Sequence, residues 1–495
     1  MTRRIEKVVI VGRDAAAWLV ALGLQRAVGQ TGVKVQVVEL PSLLQPVDFY
    51  PALPSLAGLH ALLGVPEAAM LKACRGVPTL GQRFVGWGGE GSSFVHAYDI
   101  QRPAIEQIDF LQYWVKARGQ GLKIALEDFS LAAAAAKQGR LSDTPAGPDT
   151  LAGFQPGYHL DALRYVRFLR GGALAAGVEH RPATLDAIRR EGDRITAIVL
   201  HDGTEIGADL FVDATGAEAA LIGQMPGAEV TSWGEWLGCD RILAASAPVL
   251  RPLPAFGQVT ALRNGWVGLY PLQDRTALIA SYAADGTSDQ DVLAEAAAAA
   301  RVPVSGDVVV SSFEPGIRAR PWVGNCVAVG AAAVGLEPLD AVQLQIVQIG
   351  LSNLVALWPV EADTMPEAPL YGAAMASHAA NLRDFQIAHY RLNRRAGQPF
   401  WDRARDAGGP ASLQAKLSLF GSCGQVPLYD DESFLAQNWS AVFVGHGLIP
   451  KSYNPAVDAV PPQEQMESFQ KLLHVIAEEV RAMPTVETWL ARRTG

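Results

Sequence analysis

The chain contains little cysteine, with only four such residues among 495. Cys74, Cys239, Cys326 and Cys423 are scattered and form no Cys-x-x-Cys pair. This spacing is atypical of a disulfide framework or a thiolate metal site, and it indicates structural thiols in a reducing compartment. The sequence also lacks a Ser-His-Asp order and a cluster of metal ligands, so it predicts neither a hydrolase nor a metal site.

Positive charge and long apolar runs are scarce as well. Lys and Arg number 41 against 50 acidic residues, and the net charge of −9 argues against a nucleic-acid partner. The N-terminal residues lack the long apolar core and the small-residue cleavage site of a signal peptide. The longest apolar stretches, such as 326–336, are far too short to span a membrane. These absences predict a soluble cytoplasmic protein with no membrane partner.

What the chain does contain is a strand–turn–helix–strand unit at its start. Residues 5–11 predict a buried parallel strand, Gly12 a tight turn, 15–27 a helix, and 33–38 a second strand that ends at Glu39. This order is typical of the opening βαβ unit of a dinucleotide-binding fold, in which Glu39 would accept a ribose hydroxyl. The same unit without its glycines occurs in many doubly wound domains, so both assignments are open at this point.

Later segments predict that the same sheet is assembled from distant parts of the chain, since 495 residues are too many for one compact core. Residues 195–216 read as a hairpin and a strand that ends in Asp-Ala-Thr-Gly, which resembles an element of FAD-dependent monooxygenases. The predicted FAD domain is therefore discontinuous, at about 1–100, 155–225 and 315–360. The remaining predicted parts are an insertion at about 101–154 with an alanine-rich stretch at 131–137 in a loop region, a substrate-facing β-sheet at about 226–314, and a helical C-terminal region at 361–495.

Several motifs, in a shared order, resemble those of one enzyme family. Residues 330–343 read Gly-Ala-Ala-Ala-Val-Gly-Leu-Glu-Pro-Leu-Asp-Ala-Val-Gln, and residues 158–162 read Tyr-His-Leu-Asp-Ala. These segments are similar to the G-x-A-x-G-F-[LV]-E-P-L-E-S-T and Y-H-F-D-A motifs of the flavin-dependent tryptophan halogenases. Residues 384–401 and 439–450 resemble later motifs of the same family. The chain is therefore identified as a member, and the resemblance implies an α/β fold with the doubly wound FAD-binding sheet of monooxygenases and halogenases.

The family's FAD-binding turn, G-G-G-T-A-G-W, corresponds to Gly-Arg-Asp-Ala-Ala-Ala-Trp at 12–18. Asp14 replaces the second glycine, where a carboxylate repels the pyrophosphate of the cofactor. Two interpretations are open: Asp14 points to solvent and pairs with Arg13, or the site no longer holds FAD tightly. The resemblance implies the following FAD-binding residues: Gly12, Ala15, Ala16, Ala17, Glu39, Leu185, Gly216, Gly330, Ala331 and Leu344.

The resemblance also locates the reaction centre, where several positions depart from the family. The family's Lys, which carries or hydrogen-bonds hypohalous acid, corresponds to Thr79, and threonine has no cation for that task. Lys72, seven residues upstream, reads as a surface lysine. The family's catalytic Glu corresponds to Asp340, which is one methylene shorter. The halide-binding pair corresponds to Val342 and Gln343, of which the first has no hydroxyl.

A further motif, W-x-W-x-I-P, is implied to keep the substrate away from the flavin. It corresponds to residues 266–271, in which Trp266 and Pro271 remain but the second Trp is Gly268. The loss of an indole predicts open space beside the flavin. A simple strand glycine at a bulge is the alternative.

Together these changes predict a flavin-dependent oxidoreductase that acts on a small aromatic or indole-like substrate with oxygen and FADH2 supplied by a separate flavin reductase. Halogenation is expected to be altered or lost. A genuine halogenase with a non-standard active site is the first alternative. A non-catalytic member of the family that binds a ligand or partner is the second, and the sequence leaves a homodimer open.

Overall fold

The structure is a computed structural model and describes residues 3–99, 108–142 and 154–494. In chain order the strands are β1 (Lys7–Gly12), β2 (Lys34–Glu39), β3 (Phe49–Ala52), β4 (Val77–Thr79), β5 (Gly81–Val85), β6 (Ser93–Ala97), β7 (Gly157–Asp161), β8 (Glu179–Pro182), β9 (Leu185–Glu191), β10 (Arg194–Leu200), β11 (Glu205–Ile206), β12 (Leu210–Ala214), β13 (Val230–Ser232), β14 (Arg241–Ala247), β15 (Gly257–Leu262), β16 (Gly265–Pro271), β17 (Thr276–Tyr282), β18 (Ser305–Ser312), β19 (Gly316–Arg318), β20 (Trp322–Val323), β21 (Cys326–Ala328) and β22 (Val334–Gly335).

The α-helices are α1 (Asp14–Val28), α2 (Ser55–Leu63), α3 (Glu67–Ala73), α4 (Phe110–Gly119), α5 (Leu131–Lys137), α6 (Ala162–Ala175), α7 (Asp289–Ala300), α8 (Gln343–Ala356), α9 (Ala368–Arg391), α10 (Pro399–Asp406), α11 (Ala411–Cys423), α12 (Ala436–Gly445), α13 (Pro462–Ala482) and α14 (Val486–Thr494). Within the described ranges, none of these helices is long and apolar enough to cross a lipid bilayer.

The chain divides into two compact units, each built from three segments. The first unit comprises Met1–Gly76, Leu160–Gly234 and Phe313–Ala380. The second comprises Val77–His159, Glu235–Ser312 and Asn381–Gly495. Each unit is therefore assembled from parts of the chain that lie far apart in sequence.

The first unit contains a six-stranded sheet in the order β20-β21-β12-β1-β2-β8. β1 pairs in parallel with both β2 and β12, and β12 pairs in parallel with β21. The four consecutive apolar residues 8–11 of β1 have no exposed surface, as expected of a central parallel strand that is covered on both faces. α1 packs against α6 and α8. This arrangement places the turn after β1 at the carboxyl edge of the sheet, where ligands bind in such folds.

The second unit contains a seven-stranded sheet in the order β18-β14-β17-β16-β15-β5-β6. Its strands are antiparallel neighbours except for β15 and β5, which run parallel. All residues of β16 and β17 are buried. The sheet therefore presents no solvent-exposed face along these two central strands.

The division differs from the ranges expected from the sequence. Residues 77–100 were expected in the FAD domain, but β5 hydrogen-bonds to β15 and so brings the described part of this range into the second unit. The stretch 131–137, expected within a loop region, is the helix α5, whose first turn is capped by the Ser130 hydroxyl, which accepts from Ala133 N. Of that predicted loop region, at about 125–155, residues 143–153 lie outside the described residues.

Candidate functional site

The turn after β1 retains Gly12, at a position where a larger residue would clash with Ala214. A Cβ atom at Gly12 would lie 2.6 Å from the carbonyl oxygen and 2.7 Å from the Cβ of Ala214. Arg13 N also donates to Ala214 O at 3.2 Å, which fixes the two strands at this separation. Gly12 is thus required by the close approach of β1 and β12, as in other dinucleotide-binding turns.

Asp14 keeps the backbone conformation of the glycine that it replaces. Its φ angle is 59°, in the left-handed region that glycine adopts freely and that aspartate tolerates better than most residues. Its carboxylate accepts from Ser42 Oγ at 2.5 Å. Arg13 Nη1 instead lies 2.9 Å from Glu218 Oε2. The Arg13 guanidinium is therefore paired directly with Glu218, and it acts on the Asp14 carboxylate only through the electrostatic field.

Burial raises the pKa of the Asp14 carboxyl above its ordinary value of 3.8, and the hydrogen bond from Ser42 opposes that shift. The negative charge of Asp14, near the amino end of α1, is therefore partly desolvated. Helix N-termini bind anions, so a carboxylate here competes with a phosphate for the same electrostatic field.

The other residues assigned to FAD binding lie in the same unit as this turn. Ala15 and Ala17 are buried in the first turn of α1, and the Cβ of Ala16 would lie 3.8 Å from a Cβ at Gly330. Gly330 and Gly216 both have positive φ angles, of 60° and 82°, which favour glycine. Of the rest, Leu344 is buried on α8, Ala331 is exposed, and Leu185 is half-buried at the start of β9.

A cavity of about 420 Å³ lies in the first unit, beside the end of β2. It is lined by Glu39, Leu40, Pro41, Ser42, Arg170, Pro182, Ala183 and Thr184. The position and the acidic residue suit the adenosine ribose of a dinucleotide. Leu185 follows the lining residues in sequence but is not one of them.

Glu39 is held by side chains that sequence reasoning did not identify. Its Oε1 accepts from Trp18 Nε1 at 3.0 Å, and its Oε2 lies 2.8 Å from His180 Nε2 and 3.5 Å from Arg170 Nη1. His180 and Arg170 are more than 130 residues away in sequence, so only Trp18, the last residue of the turn motif, carried a signal. The three contacts orient the carboxylate towards the cavity edge, where it fits a ribose hydroxyl.

The segment that carries Asp340 has a strained backbone and an internal hydrogen bond. Asp340 and Ala341 have φ angles of 58° and 59°, and two consecutive left-handed residues without a glycine cost about 1–3 kcal/mol each. Asp340 and Val342 are fully buried. Gln343, the first residue of α8, donates from Nε2 to Glu337 O at 3.0 Å. Its amide therefore fixes the loop that precedes the helix, and Val342 supplies no hydroxyl for a halide.

Thr79 lies in the second unit, at the end of β4. The side chain is buried, and its hydroxyl lies 3.2 Å from Gly81 O and 3.4 Å from Ala255 O, to which it donates. Thr79 pairs with Gly157, and Val77 pairs with His159. Opposed residues of an antiparallel pair share a face, so Thr79 and His159 project to the same side. Position 79 is therefore a neutral, hydrogen-bonded site without a cation.

Tyr270 occupies the space that the absence of an indole at Gly268 was expected to open. A Cβ atom at Gly268 would lie 2.7 Å from Tyr270 Oη and 2.8 Å from Cζ. The expectation of open space is therefore wrong, because the ring of a residue two positions along the strand covers the glycine. Trp266 is buried and donates from Nε1 to Tyr390 Oη at 3.0 Å.

The three motif histidines are buried in the second unit. His159 Nδ1 donates to Pro271 O at 3.3 Å, and burial lowers the pKa of His159 to about 3. His389 Nδ1 lies 2.9 Å from His446 Nε2, and burial lowers the pKa of His389 to about 3 and that of His446 well below 6.5. His96 lies 3.2 Å from the amide of Asn438. The lowered pKa values keep His159, His389 and His446 neutral at pH 7, which suits a packing role rather than proton transfer.

A family model described as "Tryptophan halogenase" matches residues 7–462. The chain is 24% identical over 538 residues to the tryptophan 7-halogenase RebH of Lentzea aerocolonigenes, with 100% of both chains covered. It is similar to the solved structure of BrvH, a flavin-dependent halogenase from Brevundimonas sp. BAL3, with a TM-score of 0.94, 31% identity, and 99% of this chain and 100% of that chain covered. Xcc4156, a flavin-dependent halogenase from Xanthomonas campestris, aligns with a TM-score of 0.93, 28% identity and 99% coverage of this chain and 99% of that chain.

These likenesses confirm the α/β fold and the flavin dependence predicted from the sequence. The cofactor expected from the sequence is FAD, and the two solved structures that the chain resembles are both described as flavin-dependent halogenases. The residues of the first unit fit FAD except at Asp14: the Gly12 turn suits the pyrophosphate, the Asp14 carboxylate opposes it, and the cavity beside Glu39 suits the ribose.

Proposed function

Because the chain belongs to the tryptophan halogenase family, we propose that it is a flavin-dependent oxidoreductase that acts on a small aromatic substrate and has lost lysine-dependent halogenation. The substrate is an electron-rich ring such as an indole, and oxygen is the oxidant. A transient flavin reductase supplies the reduced cofactor, and the proposal includes a cytoplasmic location. Association of two copies stays open.

The observation that carries the proposal is the environment of Thr79. The hydroxyl there is directed at backbone carbonyl oxygens and carries no charge. Transfer of an electrophilic halogen requires a group that binds and polarises hypohalous acid, and an ammonium does this where a threonine cannot. The described lysines of the second unit that are buried are also engaged elsewhere: Lys116 bonds Val457 O and Val460 O, and Lys416 bonds Glu432.

The residues of this chain would act as follows. When bound, the reduced flavin activates oxygen for transfer to the ring. Gly12, the amino end of α1 and Glu39 bind and orient the cofactor. Asp340, buried and one methylene shorter than the family's Glu, serves as the base that removes a proton from a substrate positioned close to it. Val342 adds an apolar wall where the family binds halide.

The test is a reconstituted reaction with flavin reductase, NADH, FAD, oxygen and bromide, offered indole and tryptophan. We expect an oxygenated product or peroxide and no brominated product. Thr79→Lys restores the missing cation and is expected to produce bromination, whereas Thr79→Val, which keeps the shape and removes the hydroxyl, should leave oxygen consumption unchanged. Efficient bromination by the wild type, or a failure to bind both oxidised and reduced FAD, contradicts the proposal.

A second candidate is a halogenase with a non-standard active site. Tyr270 favours it, because its ring covers the strand where a missing indole would have exposed the reaction centre to direct oxygenation. Bromination of indole that survives Thr79→Val but is lost in Asp340→Asn would favour this candidate over the first.

A further inference from the structure

The ring of Tyr270 fills a slot made by two glycines on neighbouring strands. One edge of the ring is close to Gly268 of its own strand, where a Cβ would lie 2.7 Å from Oη. The opposite edge is close to Gly257 of β15, where a Cβ would lie 2.8 Å from Cδ1 and 2.9 Å from Cε1. Real Cβ atoms do not approach this closely, so neither position accepts a larger side chain while the ring is in place.

The slot adjoins the position of the missing lysine. The Tyr270 ring is fully buried and contacts His159 edge-on, with 5.3 Å between the ring centroids. His159 projects to the same side of the β4–β7 pair as Thr79. The hydroxyl of Thr79 in turn donates to Ala255 O, two residues before Gly257. Tyr270 and His159 are therefore in contact, and Thr79 lies on the same face of the β4–β7 pair as His159.

The slot between Gly268 and Gly257 is filled by the Tyr270 ring and is not an empty space left by a missing indole. A glycine that simply replaced a large side chain would leave a cavity, and cavities in well-packed interiors are destabilising. Here Gly268, Gly257 and Tyr270 are mutually dependent, because the ring needs both glycines and would clash with a side chain at either. The bulk at this point of the strand has moved from position 268 to position 270.

We propose that Tyr270 is a specificity-determining residue whose ring limits the size of the aromatic substrate admitted beside Thr79, in place of a side chain at position 268. The proposal rests on the proposed function for its substrate class, but the packing of the slot does not depend on that function. Gly268 and Gly257 are the positioning residues that admit the ring.

The first experiment is a thermal-unfolding cycle without cofactor, with the variants Gly268→Trp, Tyr270→Ile and the double variant. Gly268→Trp alone should lower the melting temperature by roughly 2–8 °C, because the indole and the phenol require the same space. Adding Tyr270→Ile should recover at least half of that loss. If the double variant loses as much as the two single variants combined, position 268 and Tyr270 do not share a slot and the proposal is overturned.

The second experiment measures the preference for ligand size. Binding of indole and of the larger carbazole to wild type and Tyr270→Ala is followed by calorimetry, and turnover is followed as peroxide and product formed per FADH2 consumed. Tyr270→Ala should raise the carbazole-to-indole ratio about tenfold, as a changed apolar contact does in other pockets. The matched control is Tyr282→Ala, which removes another fully buried tyrosine of the same sheet and should leave the ratio unchanged.

The outcomes separate the two claims. An unchanged carbazole-to-indole ratio in Tyr270→Ala, by binding and by turnover, assigns the ring a packing role only and overturns the inference. Binding of both ligands without any turnover contradicts the proposed function, while the binding ratio still decides the role of Tyr270. A shift of the same size in Tyr282→Ala would show a general loosening of the sheet and overturn the inference as well.

Discussion

The two units of this chain have lost residues of their family motifs, and each has compensated for the loss differently. In the first unit, Asp14 replaces a glycine, yet the backbone keeps the left-handed conformation and the carboxylate is bound by Ser42. In the second unit, Gly268 replaces a tryptophan, and the compensation is a ring supplied by Tyr270. The first replacement preserves a backbone conformation, whereas the second keeps a buried space filled. The replacement at position 14 is therefore accommodated by backbone conformation, and the replacement at position 268 is accommodated by a neighbouring side chain.

The largest expected difference between the two units is in their stability at low pH. Burial lowers the pKa of His159 and His389 to about 3 in the second unit, whereas the first unit has His60, lowered to about 4. A lowered pKa means that stability is complete above the unfolded value of 6.5 and is lost as the pH falls through the interval down to the folded value. Each such histidine costs roughly 1.4 kcal/mol per pH unit in that interval.

We therefore expect the second unit to lose structure first between pH 6.5 and about 4. Hydrogen exchange of peptides from β16 and from β1, recorded at pH 7 and pH 5 with the intrinsic rates corrected, measures the two units separately. Earlier loss of protection in β1 would contradict the expected order.

A second test acts on the backbone contact of the first unit. Gly12→Ala would place a methyl group against Ala214 and should reduce the free energy of unfolding by about 3 kcal/mol. It should also weaken FAD binding by about 100-fold, since the turn and the amino end of α1 move together. FAD titration and urea unfolding measure the two effects. Gly171→Ala on α6 is the control, because a Cβ there meets nothing within 4 Å and should stabilise the helix slightly. Equal FAD affinity in Gly12→Ala and wild type would show that this close approach is dispensable.

A smaller effect is expected at Asp14. Removal of the carboxylate in Asp14→Gly should tighten FAD binding by about fivefold, because a like charge near a surface costs roughly 1 kcal/mol. The pKa of Asp14 is raised, so the folded chain takes up this proton more readily than the unfolded chain does. The repulsion is therefore present above that raised pKa and is relieved as the pH falls through it. Wild-type affinity for FAD should therefore increase as the pH is lowered, relative to that of Asp14→Asn. Parallel pH profiles of the two proteins would show that the carboxylate bound to Ser42 does not face the phosphates.

The smallest effect concerns the segment before α8. Gln343→Ala removes the bond to Glu337 O and should lower the free energy of unfolding by about 1 kcal/mol. Gln348→Ala on the same helix is the control, because its amide makes only a long contact of 3.5 Å with Ser55 O. Equal losses in urea unfolding would mean that the Gln343 amide does not fix the loop. A change in FAD affinity in Gln343→Ala but not in Gln348→Ala would show that the loop before α8 affects cofactor binding in the first unit.

Much of the architecture was readable from local pattern. The apolar run at 8–11, the turn at Gly12 and the acid at Glu39 predicted β1, α1 and β2, and the strand Thr276–Tyr282 was placed at its observed bounds. These elements are determined by short-range periodicity and by one glycine that close packing requires. The stretch 131–137 was missed as a helix, because an alanine run has no amphipathic period and its cap at Ser130 is a weak signal.

What the sequence by itself determined is the fold, the family and the identity of the replaced residues, because these depend on motif order and on local chain geometry. Only the tertiary structure decided how each replacement is accommodated. Tyr270 covers Gly268 because of strand geometry and a glycine at 257 on another strand, and His180 reaches Glu39 from 141 residues away. Such contacts carry no local periodicity and arise only when distant strands lie side by side, which is the physical reason that the sequence alone predicted open space where the folded chain has a ring.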